Sequence, residues 1–298
     1  MKKILFIKPN EHYLYKNIKK CGYTIKTPYI FNYLILRIIR EVVFRLHLPL
    51  AQLLYNKEIN IKAEIIVIFD SLITYSFLKW VRKNNPQSRI ILFYENPVIA
   101  TINPCYIDDD ICEKYSCDPS DCLMYNLKYI YPFYFEHLKI EKMKSIIDVL
   151  YVGSDKGRAN KLFKLKSLFE NQGVGVELYI VADRKYQRFY KKFYRPYLTY
   201  DEIREKNKSC RAILHIKEGG QCGITVRVFE SLFNEIKLIT NNEKLREYPF
   251  YRENNIFILG KDPIELLPLF LKKPYESIDD ELIKKYSFDN WLEKLLLD

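Results

Sequence analysis

Gly219-Gly220-Gln221-Cys222-Gly223-Ile224-Thr225-Val226-Arg227-Val228-Phe229-Glu230-Ser231-Leu232 is the stretch that decides how this chain folds. Before it runs Ala212-Ile213-Leu214-His215-Ile216, a short apolar stretch with the length of a buried strand. After the glycines, Val226, Phe229, Leu232 and Phe233 recur at helical spacing. Lys237-Leu238-Ile239-Thr240 then reads as the next strand. Strand, glycine-rich turn, helix and strand make a βαβ unit, so the sheet is parallel and the turn lies at its carboxyl edge. Such a turn aims backbone N–H groups and the positive end of a helix dipole at one point, where an anion is stabilised. Gly220, Gln221, Gly223, Ile224 and Thr225 supply the turn. Arg227 and Glu230 follow in the first helical turns, one suited to a phosphate and the other to a sugar hydroxyl. The pattern predicts the nucleotide end of a nucleotide-sugar site.

A second unit of this kind begins upstream. Residues 147–152 read as a strand that runs into Gly153-Ser154-Asp155-Lys156-Gly157-Arg158. A helix over 159–172 carries Leu162, Leu165, Leu168 and Phe169 on one face, with Gly173 and Gly175 expected as its C-terminal caps. A strand over 176–181 follows. Gly153, Lys156 and Arg158 form a second candidate seat for a diphosphate, through charge-assisted hydrogen bonds. The P-loop pattern is absent, which argues against ATP hydrolysis. Between the two turns, Thr199 and Glu202 have the spacing of a capping box. The backbone around Tyr197 and Leu198, just before that helix, is placed to receive a base. A strand over 256–259 and helices over 263–271 and 289–295 complete the chain.

The first half is different. Ile4-Leu5-Phe6-Ile7 reads as a buried strand, yet Gly22 is the only glycine before position 153. No dinucleotide fingerprint follows the first strand. Strands over 65–69 and 89–94 end in Asp70 and Glu95, so two carboxylates stand at one sheet edge. With His12 they are the candidates for a general base, although an edge acid more often caps a helix or pairs with a lysine. Residues 29–55 are the longest helical candidate, kinked or broken at Pro49. Arg37, Arg40 and Arg45 suit a peripheral membrane contact there. Apolar residues on more than one face favour ordinary packing on a sheet instead. Cys105, Cys112, Cys117 and Cys122 are spaced poorly for zinc, and no metal is expected. Asp118-Pro119-Ser120-Asp121 reads as a helix start. An aromatic-rich run then leads into the second domain. The expected division is 1–145, 146–275 and a C-terminal helical piece, 276–298, that packs back on the first domain.

The chain's 298 residues leave room for two domains, and 48% hydrophobic residues supply a core for each. The formal charge of +11, from 48 Lys and Arg against 37 Asp and Glu, favours anionic partners in general. No nucleic-acid module is recognisable, so a nucleic-acid partner is not expected. Seven cysteines, an odd number, follow a start without a leader pattern. No apolar run is long enough to span a bilayer. The expectation is a cytoplasmic protein with free thiols, working at the inner face of the membrane if its acceptor is lipid-linked.

Three places resemble the nucleotide-binding domain of GT-B glycosyltransferases. They are residues 152–158, the Pro196-Tyr197-Leu198-Thr199-Tyr200-Asp201-Glu202 segment, and the opening stretch continued through Thr240-Asn241-Asn242. The likeness is greatest to a bacterial branch for lipopolysaccharide or capsule synthesis, where Ser116-Cys117-Asp118-Pro119-Ser120-Asp121-Cys122 is also similar. The resemblance implies an α/β protein of two facing Rossmann-like domains, with parallel sheets and an interdomain cleft. It implies metal-independent transfer from a nucleotide-diphosphate sugar, UDP-linked by preference, to a glycan or lipid-linked acceptor, with no further cofactor. Lys156 and Arg158 would meet the diphosphate, the backbone from Gly220 to Thr225 a phosphate, and Glu230 the ribose hydroxyls. On that basis Arg158→Ala and Glu230→Ala should each lower transfer without unfolding the protein. Glu218-Gly219-Gly220-Gln221-Cys222-Gly223 matches the family loop only in part, which leaves retention and inversion both open. A nucleotide-sugar epimerase on the same scaffold and a non-catalytic, basic polyanion-binding protein are the competing readings.

Overall fold

The computed structural model describes residues 3–9, 13–30, 43, 49–60, 62–183, 191–217 and 223–297. The chain divides into two compact units, Met1–Tyr131 and Pro132–Asp298.

In the first unit the described elements run β1 (Ile4–Ile7), α1 (Tyr13–Lys20), β2 (Thr24–Lys26), β3 (Ile65–Phe69), α2 (Tyr75–Asn84), β4 (Arg89–Tyr94), β5 (Glu113–Ser116), α3 (Pro119–Tyr125) and β6 (Lys128–Tyr129). The six strands form one parallel sheet in the order β2-β1-β3-β4-β5-β6. Every residue of β1 and β3 is buried, as expected where both faces of a parallel strand are covered. Phe77, Leu78 and Val81 of α2 lie in one core cluster with Ile66, Ile68 and Leu92 of the sheet. Thr74 starts that helix by accepting from Phe77 N at 3.2 Å. Asp118 caps α3 through Ser120 N at 2.9 Å, as its sequence predicts.

Most of residues 29–55 lies outside the described residues. Its described ends are not α-helical. Tyr29 pairs with Tyr55 in an isolated antiparallel bridge, and Pro49–Leu54 is a 3-10 helix. Pro49, which cannot donate within a helix, therefore opens a new short element.

The second unit runs β7 (Ile147–Ser154), α4 (Ala159–Glu170), β8 (Val176–Val181), β9 (Tyr194–Arg195), α5 (Tyr200–Asn207), β10 (Cys210–His215), α6 (Val226–Asn234), β11 (Lys237–Thr240), β12 (Ile256–Ile258), α7 (Leu267–Lys272), α8 (Asp280–Lys284) and α9 (Phe288–Leu297). Its six strands are again parallel, in the order β12-β11-β10-β7-β8-β9. The chain moves outward from β7 to β9, then returns to β10 and moves outward on the other side. The strand order reverses between β7 and β10, and in the first unit between β1 and β3. Open α/β sheets bind ligands at the carboxyl ends of strands flanking such a reversal.

Two expectations change here. Residues 132–145 group with the second unit rather than the first. Tyr134 bridges Ser287, Ile140 N donates to Asn234 Oδ1 at 2.9 Å, and Phe133 packs at a tilt against Trp291 with ring centroids 4.5 Å apart. The C-terminal helix α9 packs on this same segment, inside the second unit. Gly173 does end α4, with φ +74 and Val174 N donating back to Phe169 O at 3.1 Å. Gly175 instead leads into β8, where its N–H donates to Asp148 Oδ2 at 3.0 Å.

Candidate functional site

At the second unit's reversal, two arginines converge on strand ends. Arg158 stands at the start of α4. Its Nη2 donates to Ser154 O at 2.7 Å, its Nη1 to Ile216 O at 3.0 Å and its Nε to Asp155 O at 3.2 Å. It thus ties the end of β7 to the residue after β10. Carbonyl acceptors orient a guanidinium without neutralising it. Arg227, in the first turn of α6, donates from Nη2 to Val152 O at 3.0 Å and from Nη1 to Glu230 Oε2 at 2.6 Å.

Glu230 is 0% exposed. Asn207 Nδ2 reaches its Oε2 at 3.4 Å, while Oε1 is buried with no hydrogen-bond partner among the described residues. Sequence reasoning offered Glu230 to ribose hydroxyls; here it is spent on Arg227. The helical face explains the difference: residues 228–234 of α6 are all buried, so position 230 points into the unit.

The turn after β7 has a left-handed pair, Lys156 at φ +47 and Gly157 at φ +81. Lys156 is exposed, and this conformation is uncommon for a side chain other than glycine. A Cβ at Gly153 would meet Tyr151 Oη at 3.0 Å, so a larger residue there requires the tyrosine ring to shift by a few tenths of an ångström. Asp155, buried, accepts from Ala159 N at 2.7 Å and from Tyr194 Oη at 2.6 Å, so it caps α4 and fastens β9.

His215 ends β10 and was missed in the sequence. Its Nδ1 lies 3.2 Å from Thr240 Oγ1 and its Nε2 3.3 Å from Thr225 Oγ1. Burial, helped by the charges of Arg227, Arg158 and Lys217, pushes it down to about 3. The neutral ring draws the Thr225 hydroxyl away from α6, which begins with no side-chain cap. Among the described residues the first-turn amides have no side-chain cap. A base whose value falls on folding stabilises the fold above its unfolded value and loses that contribution as pH falls toward the folded one. Wild type should therefore lose stability between about pH 6.5 and pH 4 more steeply than His215→Asn, measured by urea unfolding at each pH.

Gly223 and Ile224 precede Thr225, with Ile224 buried. Gly220 and Gln221 lie outside the described residues, as does His12. Tyr197, 77% exposed, and half-buried Leu198 stand before α5. The capping box there is formed, with Thr199 N to Glu202 Oε2 at 2.7 Å and Glu202 N to Thr199 Oγ1 at 3.3 Å.

The first unit's reversal carries its own charged group. Lys8 follows β1, Asp70 follows β3 and Glu95 follows β4. The Lys8 ammonium is buried, ion-paired with Glu95 and 4.6 Å from the centre of the Phe69 ring. Asp70 is 1% exposed. It accepts from Asn96 N at 3.0 Å and from Asn96 Nδ2 at 3.1 and 3.3 Å. Burial first, then the neighbouring Glu95 charge, pushes Asp70 up to about 7. Lys8 escaped sequence reasoning, although a charge directly after a buried strand was the signal used for Asp70 and Glu95.

In the cysteine segment Cys112 and Cys117 are buried, Cys122 is half-buried and Cys105 is exposed. Cys117 Sγ donates to Glu95 O at 3.7 Å and Cys122 Sγ to Ser116 O at 3.6 Å. Among the described residues no three of His, Cys, Asp and Glu are grouped to hold a metal ion. No helix among them is long and apolar enough to cross a membrane.

No protein-family model and no curated protein matches the chain. Solved structures do. A lipopolysaccharide outer core galactosyltransferase, WaaB, superposes with a TM-score of 0.51 at 12% identity, over 98% of this chain and 99% of that one. A spinosyn forosaminyltransferase gives 0.47 at 13% identity, over 100% of both chains. A Listeria monocytogenes chain assigned as a UDP-N-acetylglucosamine 2-epimerase gives 0.49 at 7% identity, over 99% of this chain and 95% of that one. At such identities only the first superposition bears on this chain, and it bears on the fold: two units, each with an open parallel sheet, in the GT-B arrangement of elements.

Proposed function

We propose that this chain is a glycosyltransferase. It takes a sugar from a nucleotide-diphosphate donor, UDP-linked by preference, to a glycan or lipid-linked acceptor of the cell surface. The observation that carries this reading is the pair of arginines at the second unit's strand reversal, beside a helix whose first turn has no side-chain cap. A leaving diphosphate needs fixed positive charge and aligned N–H donors that do not reorganise during the reaction. Arg158 is held by backbone carbonyls, Arg227 by one carbonyl and by the Glu230 carboxylate that offsets its charge, and Lys156 adds an exposed cation on the neighbouring turn. Tyr197, exposed at the same sheet's edge, offers an aromatic face to the base. The GT-B fold and the resemblance of the three segments support the choice of substrate class. The exclusion of nucleic acid, the absence of a resident cofactor or metal, and contact with a membrane surface belong to the same reading.

The test is a thermal-unfolding screen with UDP, GDP, ATP and their sugar conjugates. A ligand at a hundred times its Kd adds about 2.7 kcal/mol to the state that binds it. The transition of the second unit should rise with UDP or GDP and less with ATP. A screen in which no nucleoside diphosphate moves that transition refutes the reading.

A further inference from the structure

The two carboxylates offered as a general base are not equivalent, and the buried Lys8 beside them says why. Asp70 is 1% exposed, too deep to touch an acceptor hydroxyl. Glu95 keeps 24% of its side chain exposed. From behind, the fully buried Lys8 ammonium holds the Glu95 carboxylate. From the side, Asp70 holds the very next residue, Asn96, by its backbone N–H and its amide. Glu95 is thereby pinned at two adjacent points, on the two strand ends that flank the first sheet's reversal and on β4 beside them.

We propose that Glu95 is the group that takes the acceptor's proton, and that Lys8 and Asp70 are its positioning residues. This rests on the glycosyltransferase reading above. In the step, the acceptor O–H gives its proton to a Glu95 carboxylate oxygen while the acceptor oxygen bonds to the anomeric carbon. The anomeric bond to the donor diphosphate breaks, and its electron pair leaves with the diphosphate. A single displacement of this kind inverts the anomeric configuration.

The charges on the group are Lys8 from the end of β1, Asp70 from β3, Glu95 itself on β4, and Asp118 after β5. Among the described residues, the neutral Tyr94 hydroxyl and Cys117 thiol, both held up by burial, are its further titratable neighbours. One cation thus stands among three carboxylates. Of these Asp70 is pushed up, to about 7, by burial and then by the Glu95 charge.

Lys8 is the charge that faces the Glu95 carboxylate, whereas Asp70, pushed up to about 7, acts through its hydrogen bonds to Asn96, so the two variants must differ. Glu95→Gln should lower kcat by about a hundredfold or more, while calorimetric donor affinity is retained. The acid limb of the kcat–pH profile should move up by on the order of one pH unit in Lys8→Met. Lys8→Arg should return the limb toward wild type. Asp70→Asn should lower kcat while the donor KM and the limb stay in place. A merely structural role for Lys8 would lower activity without moving the limb. Near-normal turnover in Glu95→Gln, an unmoved limb in Lys8→Met, a donor KM that changes with kcat in Asp70→Asn, or a product of retained configuration would each overturn the proposal. Failure of wild type to turn over any nucleotide sugar would overturn the function rather than the coupling. The coupling is then read from the Glu95 carboxyl carbon resonance, identified by its loss in Glu95→Gln. Its midpoint should rise in Lys8→Met, and an unmoved midpoint would overturn it.

Discussion

Glu230→Ala should destabilise the second unit by about 3 kcal/mol, the low end of what removing one partner of a buried ion pair costs. The side chain of Glu230 is fully buried and that of Arg227 keeps 17% exposure, so the orphaned guanidinium regains only part of its solvation. The unfolding transition of this unit should fall by roughly 6–12 °C, read by differential scanning calorimetry. This replaces the expectation that the variant stays folded and loses only transfer. The double variant Arg227→Leu/Glu230→Leu separates the two roles. Apolar residues of similar volume can replace a buried pair at little cost, so most of the stability should return. Nucleotide binding should not, because Arg227 is gone. Recovery of both would show that Arg227 only supports the fold. A Glu230→Ala protein as stable as wild type would show that the buried pair is worth nothing here.

Trp291→Ala should cost the same unit about 3–5 kcal/mol. Trp291 is 2% exposed and lies between Phe133, at 4.5 Å between ring centres, and Phe288 of its own helix, at 5.8 Å. Phe288 also meets Phe135 at 4.9 Å. This aromatic cluster is what fastens residues 132–135 to the C-terminal helix. Loss of the indole should therefore destabilise the transition that nucleotide stabilises, and leave the first unit's transition in place. If the first unit's transition fell instead, the assignment of residues 132–145 would be wrong.

Much of the architecture was legible because the inner strands carry apolar runs. Ile4-Leu5-Phe6-Ile7, Ile65-Ile66-Val67-Ile68-Phe69 and Lys237-Leu238-Ile239-Thr240 are buried along their whole length, and a buried parallel strand leaves that trace in sequence. The strands that went unread are short and polar. Thr24–Lys26, Glu113–Ser116, Lys128–Tyr129 and Tyr194–Arg195 lie at or next to sheet edges, where burial does not dictate composition. Helix starts were read from local chemistry, and the Thr199–Glu202 and Asp118 caps are there. Most of the long helix expected over 29–55 lies outside the described residues, and Pro49–Leu54 is a 3-10 helix.

The candidate site reads in the sequence as places and less so as partners. Gly153 to Arg158, Asp70 and Glu95 stand at strand ends at or beside the two reversals. What the sequence hid was which charges neutralise one another. Arg227 and Glu230 are three apart on a helix, a spacing that already allowed the pair they form. Assigning one to phosphate and the other to ribose overlooked that option. His215 was hidden because a histidine inside an apolar strand carries no local mark of the two threonines it meets from other elements.

The strand reversals bear on how the molecule reaches its native state. Pairing β7 with β10 joins residues 147–150 to residues 210–213, after β8, β9 and two helices have intervened. Loop closure of that length opposes early formation, so this central pairing belongs to the late, slow part of folding. The carbonyls that hold Arg158 exist together only once it has formed. A nucleotide bound there, as proposed, would have nothing to grip in a half-folded chain. Its stabilisation should then be felt as slower unfolding and longer native lifetime, rather than as faster folding.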